Sequence, residues 1–261
     1  DEHGNYHGWA RWSHHVAQHA WRYLFVSLGI VLLLAVPFLS LRLGMPDNGN
    51  KPTSSTLRQS YDLIAEGFGP GSNGPLILSV ELGSTDPDTF LAELGKQLAA
   101  TDGVVGVAPA TISPDGDTAV IQVIPATSPQ DEQTSLLIHE LRDDVLPKAV
   151  AGTDAHVYVG GATATFIDMS DKIANRLPYF IGSVILVSFL LLMVVFRSIL
   201  VPFKAAVMNV LSIGAAYGVI VAIFQWGWGA SLFGVTESLP IVSFVPMLMF
   251  AILFGLSMDY E

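Results

Sequence analysis

The 261 residues include no cysteine. That absence excludes a disulfide framework, a thiolate nucleophile and any Cys-ligated metal. Charge is also scarce, at 13% of the residues, where a soluble domain carries about a quarter. What charge there is lies in one place. Residues 44–177 hold eighteen Asp and Glu against seven Lys and Arg, which accounts for the whole net charge of −11. No basic patch is available for a polyanion, so nucleic-acid binding is excluded as a partner class. The chain has no GxSxG elbow, no P-loop and no HExxH pair. Enzymatic chemistry therefore has no foothold, and no cofactor or metal is implied.

What the chain does have is apolar length. It is 51% hydrophobic, and four runs reach the roughly 17–25 residues that a helix needs to cross a bilayer. They are Tyr23–Leu43, Tyr179–Phe196, Val201–Trp226 and Leu239–Met258. The first, YLFVSLGIVLLLAVPFLSLRL, exceeds a secretory h-region and lacks a small-residue cleavage site, with a signal anchor left open. The expected fold class is a multi-pass α-helical membrane protein carrying one α+β domain outside the membrane. Its divisions are a cytoplasmic juxtamembrane segment over 1–21, a span over 22–43, an extracytoplasmic domain over 44–177, and three spans over 178–261.

Basic residues set the orientation. Arg11 and Arg22 precede the first run, and Arg197 and Lys204 lie in the turn RSILVPFK between the second and third. If every run crosses, these four share one side, which positive charge marks as cytoplasmic. Arg42, at the far end of the first run, can snorkel to the interface. The N-terminal segment carries His14, His15 and His19 at ligand-like spacing together with Trp9, Trp12 and Trp21. It reads better as an interfacial segment than as a metal site, because the carboxylates expected around a site are missing.

The acidic domain has a legible pattern. Gly74–Leu82 is a strand by its apolar and β-branched content. Asp86–Ala100 opens on Asp-Pro and repeats Phe90, Leu91, Leu94 and Leu98 at helical spacing. Val104–Ile112 and Thr118–Ile124 form a hairpin about SPDGD. Gln130–Leu146 is a second helix and His156–Val159 a fourth strand. The order β-α-β-β-α-β is that of a ferredoxin-like module. Before it, Ser55 or Thr56 caps a short helix over Leu57–Glu66 that the following glycines end. After it, a helix runs toward the second span, with Pro178 at an interfacial bend or a first turn.

Few residues can carry chemistry. Asp259, in FGLSMDYE, follows a run with almost no charge before it. A carboxylate at bilayer depth costs a few kcal/mol and normally faces a bundle interior. Burial favours its neutral form, so a proton can come and go. Tyr260 adds a hydroxyl beside it, while Gly255 and Ser257 are small enough to let neighbouring helices approach. The alternative is that Asp259 merely ends the helix at the cytoplasmic interface, which the twenty apolar residues from Leu239 favour. Asn209 and Ser212 in the third run can bond across helices or simply pack. Glu237 precedes the fourth run as a helix cap, and His139 and His156 are read as isolated and inert.

Three stretches together resemble the MmpL family of the resistance-nodulation-division (RND) superfamily. They are MLMFAILFGLSMDYE, RSILVPFKAA and GMPDNGNKPTSSTLRQSYDLIAEGFGPGSNGPL. The resemblance covers nearly everything after about residue 20. It implies two repeats, each of one span, an outer porter domain and five further spans, with the present runs corresponding to spans seven to ten of twelve. It implies that Asp259 and Tyr260 form a mid-membrane proton relay with the equivalent pair of the other half. On that reading Leu239–Pro246 lies partly in the outer interface and the chain is a fragment of the second repeat. The implied function is proton-driven export of lipids or other hydrophobic molecules from the plasma membrane. The implied partners are membrane lipids, the lipid-like substrate and the first repeat of the same protein, with homo-oligomers left open. The alternatives are an anchored sensor or scaffold whose outer domain binds a partner, and an accessory to protein export.

Overall fold

The computed structural model describes residues 8–233 and 239–259, apart from the side chains of Ala10, Ser231, Phe233, Ser257, Met258 and Asp259. Two units can be distinguished. A sheet unit comprises Leu43–Arg176 and Leu239–Ser243, and the remaining described residues form a helical unit.

In the helical unit, α1 (Gly8–Gln18) and α2 (Ala20–Ala35) come first, and α2 tightens into a 3-10 turn over Val36–Ser40 with Pro37 in its first turn. α7 (Ala162–Phe196), numbered after the helices of the sheet unit given below, begins in that unit. α8 (Leu200–Phe224) and α9 (Val245–Asp259) complete the set. Ala20–Ser40, α7 and α8 are each long and apolar enough to cross a membrane. The second expected span is therefore the latter half of a 35-residue helix that continues through Pro178. A proline inside a helix forfeits one backbone bond, and membrane helices tolerate that loss where neighbouring groups take up the freed carbonyl. The fourth expected span, Leu239–Met258, is helical only from Val245, because Ile241–Val242 form a strand.

The sheet unit opens with β1 (Leu43–Gly44), α3 (Thr56–Phe68) and β2 (Leu76–Glu81). Ser55 stands at the N-cap of α3 without a side-chain cap bond, and Gly69 ends the helix at φ +91°. α4 (Pro87–Ala100) begins as the Asp-Pro start implies, with the Asp86 side chain accepting from the Thr89 amide. The run expected as one strand over Val104–Ile112 is two, β3 (Val104–Val107) and β4 (Thr111–Ile112). Pro109, which has no N–H to give, falls in the break. Both pair antiparallel with β5 (Thr118–Pro125), and Gly116 at φ +79° turns the chain between them. The second helix starts after the Asp131 cap as α5 (Glu132–Glu140). It passes through a π turn at Leu141–Val145 and ends as α6 (Leu146–Ala149). β6 (His156–Gly160) follows, and β7 (Ile241–Val242) comes from the distant segment before α9.

The main sheet runs β3-β5-β2-β6, with β2 antiparallel to both of its neighbours. Alternation decides which face is inside. Leu76, Leu78 and Val80 of β2 and Ala119, Ile121 and Val123 of β5 are buried, while Ser79 and Glu81 are exposed. Phe90, Leu91, Leu94 and Leu98 of α4 join them, as do Leu137, Ile138 and Leu141 of the second helix. Each fully buried leucine contributes roughly 1.5–3 kcal/mol.

Candidate functional site

The helix that carries the candidate relay residues is α9. Its packed face is aromatic. Phe250 and Phe254 are buried and stacked with ring centroids 5.2 Å apart, and Phe180 of α7 meets Phe250 edge-on at 5.7 Å. Ile213 and Tyr217 of α8 complete the cluster, with Phe38 tilted against Tyr217 at 5.3 Å. The buried Tyr217 hydroxyl donates to the Pro246 carbonyl in the first turn of α9. A phenol buried among apolar groups needs such a partner, and here the partner is the carbonyl of the second residue of α9.

The opposite face of α9 is bare among the described residues. Leu248, Ile252, Gly255 and Leu256 are exposed, and a Cβ added to Gly255 would meet no atom within 4 Å. Asp259 is the last described residue of the helix. It follows Gly255 by four residues and Ile252 by seven, so at 3.6 residues per turn its backbone position lies on this bare face. Tyr260 lies outside the described residues, as does Glu237.

Sequence reasoning missed what holds α2 against α8. A Cβ built on Gly218 would stand 1.9 Å from the Leu34 carbonyl oxygen, and one on Gly214 would touch Ala35 at 3.7 Å. The two glycines are four apart, a spacing that lets helix backbones approach closely, and that spacing was there to be read. Beyond it, Gln225 exchanges two bonds with the Arg42 backbone, accepting at 3.3 Å and donating at 2.8 Å. The Trp226 indole N–H reaches the Ser40 hydroxyl at 3.0 Å. Of the two polar residues singled out in α8, Asn209 is buried and Ser212 is exposed.

His139 is not isolated, contrary to expectation. Its Nε2 lies 3.1 Å from Asp171 Oδ2 of α7. Three residues on, in the π turn, the Arg142 guanidinium forks over Asp168, with Nη2 2.9 Å from Oδ2 and 2.8 Å from the Val159 carbonyl. Asp168 holds the arginine's pKa above its ordinary value. His156 is exposed and stands opposite Glu81 in the sheet. His14 and His19 bond locally, to Gln18 at 3.2 Å and to the His15 carbonyl at 3.2 Å. Among the described residues no group of three His, Asp or Glu side chains could hold a metal.

A second carboxylate has an unusual setting. Asp47 caps a 3-10 turn over Asn48–Asn50, its Oδ1 accepting from the Gly49 amide at 2.8 Å. Its Oδ2 is enclosed and meets no hydrogen-bond partner among the described residues. Burial pushes the Asp47 pKa above the ordinary 3.8, and the amides of Gly49 and Asn50, helped by the Gln130 side chain, offset part of that effect. Tyr61, packed on Gly49, is pushed up to about 12 by burial first and by the Asp47 charge second.

Residues 58–261 match the MMPL family. Over 237 residues the chain is 36% identical to "Membrane protein YdfJ" of Bacillus subtilis, an alignment covering 90% of this chain and 32% of that protein. It is 33% identical over 259 residues to "Mycolic acid-containing lipids exporter MmpL11" of Mycolicibacterium smegmatis, covering 97% of this chain and 27% of the relative. It is also 33% identical over 258 residues to "Heme uptake protein MmpL11" of Mycobacterium tuberculosis, covering 97% and 26%. The chain thus spans a third or less of the length of these curated relatives.

Proposed function

Because the chain belongs to the MMPL family, a family of multi-pass membrane transporters, we propose that it forms part of a proton-driven exporter of lipids or other hydrophobic molecules. Asp259 is its proton carrier and Tyr260 the hydrogen-bonding partner. The observation that carries this reading is the register of α9. Asp259 falls on the face with Leu248, Ile252 and Gly255, away from the Phe250 and Phe254 packing. A carboxylate in hydrocarbon costs about 2.5–3.5 kcal/mol on insertion scales and is found facing a protein interior. A helix from the first repeat, outside this chain, covers that face, and Gly255 gives it room to approach.

Protonation of Asp259 removes the charge and shifts the balance between helix packings, to which the porter module responds. The sheet order β6-β2-β5-β3, antiparallel at every step, supports reading that module as ferredoxin-like. The module lies outside the cell by the placement of Arg11, Arg22, Arg197 and Lys204. An impermeant maleimide reaching a cysteine at Ser84 but not one at Ser198 checks that orientation.

The lipid-exporting relative supports a lipid substrate, whereas the heme-uptake relative favours a second reading in which a large apolar molecule moves inward. The test is Asp259→Asn in the full-length protein, assayed in vesicles with an imposed pH gradient. Substrate flux should vanish while insertion stays normal, since a neutral amide inserts at least as easily as a carboxylate. Flux at the wild-type rate would reduce Asp259 to a helix end. The direction of substrate movement under the gradient separates export from uptake.

A further inference from the structure

Two short linkers, nearly two hundred residues apart in sequence, are fastened together in the sheet unit. β1 leaves the first span three residues after Ser40, and β7 ends three residues before α9 begins. They pair in parallel, Leu43 with Ile241 and Gly44 with Val242. Ser243 then closes the pair twice, its amide and its hydroxyl each donating to the Gly44 carbonyl at 3.0 Å. The same hydroxyl lies 2.7 Å from that of Ser170 on α7, whose single proton goes either to Ser243 or to the Phe166 carbonyl at 2.8 Å. Ser243 is fully buried and Ser170 nearly so. Gly44 has no room for a side chain, since a Cβ there would stand 2.8 Å from Pro240 Cβ and 2.9 Å from its Cγ.

Two residues of parallel ladder are weak by themselves. A buried hydroxyl pair is different, because separating the serines would strand polar groups away from water. The ladder, the serine pair and the Gly44–Pro240 contact are three independent restraints on one point. That point precedes by two residues the helix that ends on Asp259.

We infer that Ser170, Ser243 and Gly44 form a permanent clasp, a set of positioning residues that holds the start of α9 to the linker leaving the first span and to α7. The inference rests on the relay reading of Asp259. The clasp takes no part in proton transfer. It keeps the start of α9 from slipping, so that a change at the far end of the helix is passed to the sheet unit instead of being lost in the Leu239–Phe244 segment. Breaking it uncouples proton movement from substrate movement, and locking it covalently does no harm.

The test uses the full-length protein in a cysteine-free background, reading substrate flux and proton flux in the same vesicles. Ser170→Cys with Ser243→Cys should form a disulfide on mild oxidation and keep wild-type flux of both. Ser243→Ala, which preserves shape, should lower substrate moved per proton by about fivefold, the factor one ordinary hydrogen bond is worth in an equilibrium. Gly44→Val should lower it further. The proposal is overturned if no disulfide forms, if the oxidised pair stops transport that the reduced pair sustains, or if Ser243→Ala leaves the ratio unchanged. Should Gly44→Val fail to fold, the serine variants decide alone. Failure of the relay reading has a separate signature: Asp259→Asn then transports normally, and the clasp stands or falls on disulfide formation and on the substrate flux of its own variants.

Discussion

The sheet unit and the helical unit solve the packing problem with opposite materials. In the sheet unit apolar side chains of the core point inward, so that Leu76, Leu78, Leu98, Ile138 and Leu141 have essentially no exposure, while among the described residues Asp47 alone has an enclosed carboxylate oxygen without a partner. In the helical unit many apolar side chains point outward, beside the buried Phe250–Phe254 cluster. Leu33 of α2 and Val194 of α7 are more than 70% exposed in this chain, and none of α2 is buried. Water drives the first arrangement, because burying apolar area is the main stabilising term there. Lipid removes that drive, since acyl chains are as apolar as leucine, and leaves close packing and hydrogen bonds to hold helices together. The helical unit accordingly relies on Gly214 and Gly218 under α2, on the Tyr217 hydroxyl at Pro246, and on an aromatic cluster.

That contrast can be broken from either side. Gly218→Leu should have the largest effect, because the new side chain would collide with backbone at Leu34, which cannot move aside. Hydrogen exchange on the intact chain in nanodiscs should then rise across α2 and α8 and leave β2 and β5 protected. Leu78→Ala should do the reverse, destabilising the sheet unit by about 2–5 kcal/mol through the cavity it opens. Exchange should rise in β2, β5 and α4 with α8 unchanged. If either substitution loosens both regions equally, the two regions do not draw their stability from separate sources.

A smaller effect sharpens the picture within the sheet unit. The folded pKa of Asp47 lies above its ordinary value because burial disfavours the charge. The folded state therefore holds this proton more tightly than the unfolded chain does. The resulting stability is full below the ordinary carboxylate value of 3.8 and is lost as pH rises through the raised one. Asp86 and Asp117 have lowered pKa values, set chiefly by their bonds to Thr89 and Thr118. They act in the opposite sense, contributing stability that is lost as pH falls. Asp47→Asn keeps the Oδ1 bond to Gly49 and removes the buried charge. It should raise the melting temperature at neutral pH and flatten the slope between neutrality and the ordinary carboxylate range. A variant that melts lower at neutral pH would mean that the ionised carboxylate is stabilising where it sits.

Much of the architecture was legible because it rests on local physics. The apolar runs announced α2, α7 and α8 by length alone. Asp86 before Pro87 announced α4, and the glycine in SPDGD announced the hairpin, since φ +79° at Gly116 suits a residue without a side chain. The breaks were harder. Val104–Ile112 reads as one strand, and only its pairing with β5 shows the ladder interrupted at Pro109, just after the Ala108 amide donates to the Gln122 carbonyl at 2.8 Å. The π turn at Leu141–Val145 has no pattern of its own. Pro178 reads as an interfacial bend or a helix first turn, and the structure places it inside α7.

By itself the sequence determined the membrane class, the family, the placement of an acidic α/β unit between apolar runs, and the singular carboxylate at Asp259. Each of these depends on composition, or on residues within a few positions of one another. Only the tertiary structure decided that α9 starts at Val245, that its bare side is the side of Asp259, that His139 meets Asp171, and that Gly44, Ser170 and Ser243 come together. Those facts depend on pairings across tens to hundreds of residues. A serine or a glycine looks the same in sequence whether its partner is water or another buried residue, so the fold alone could choose.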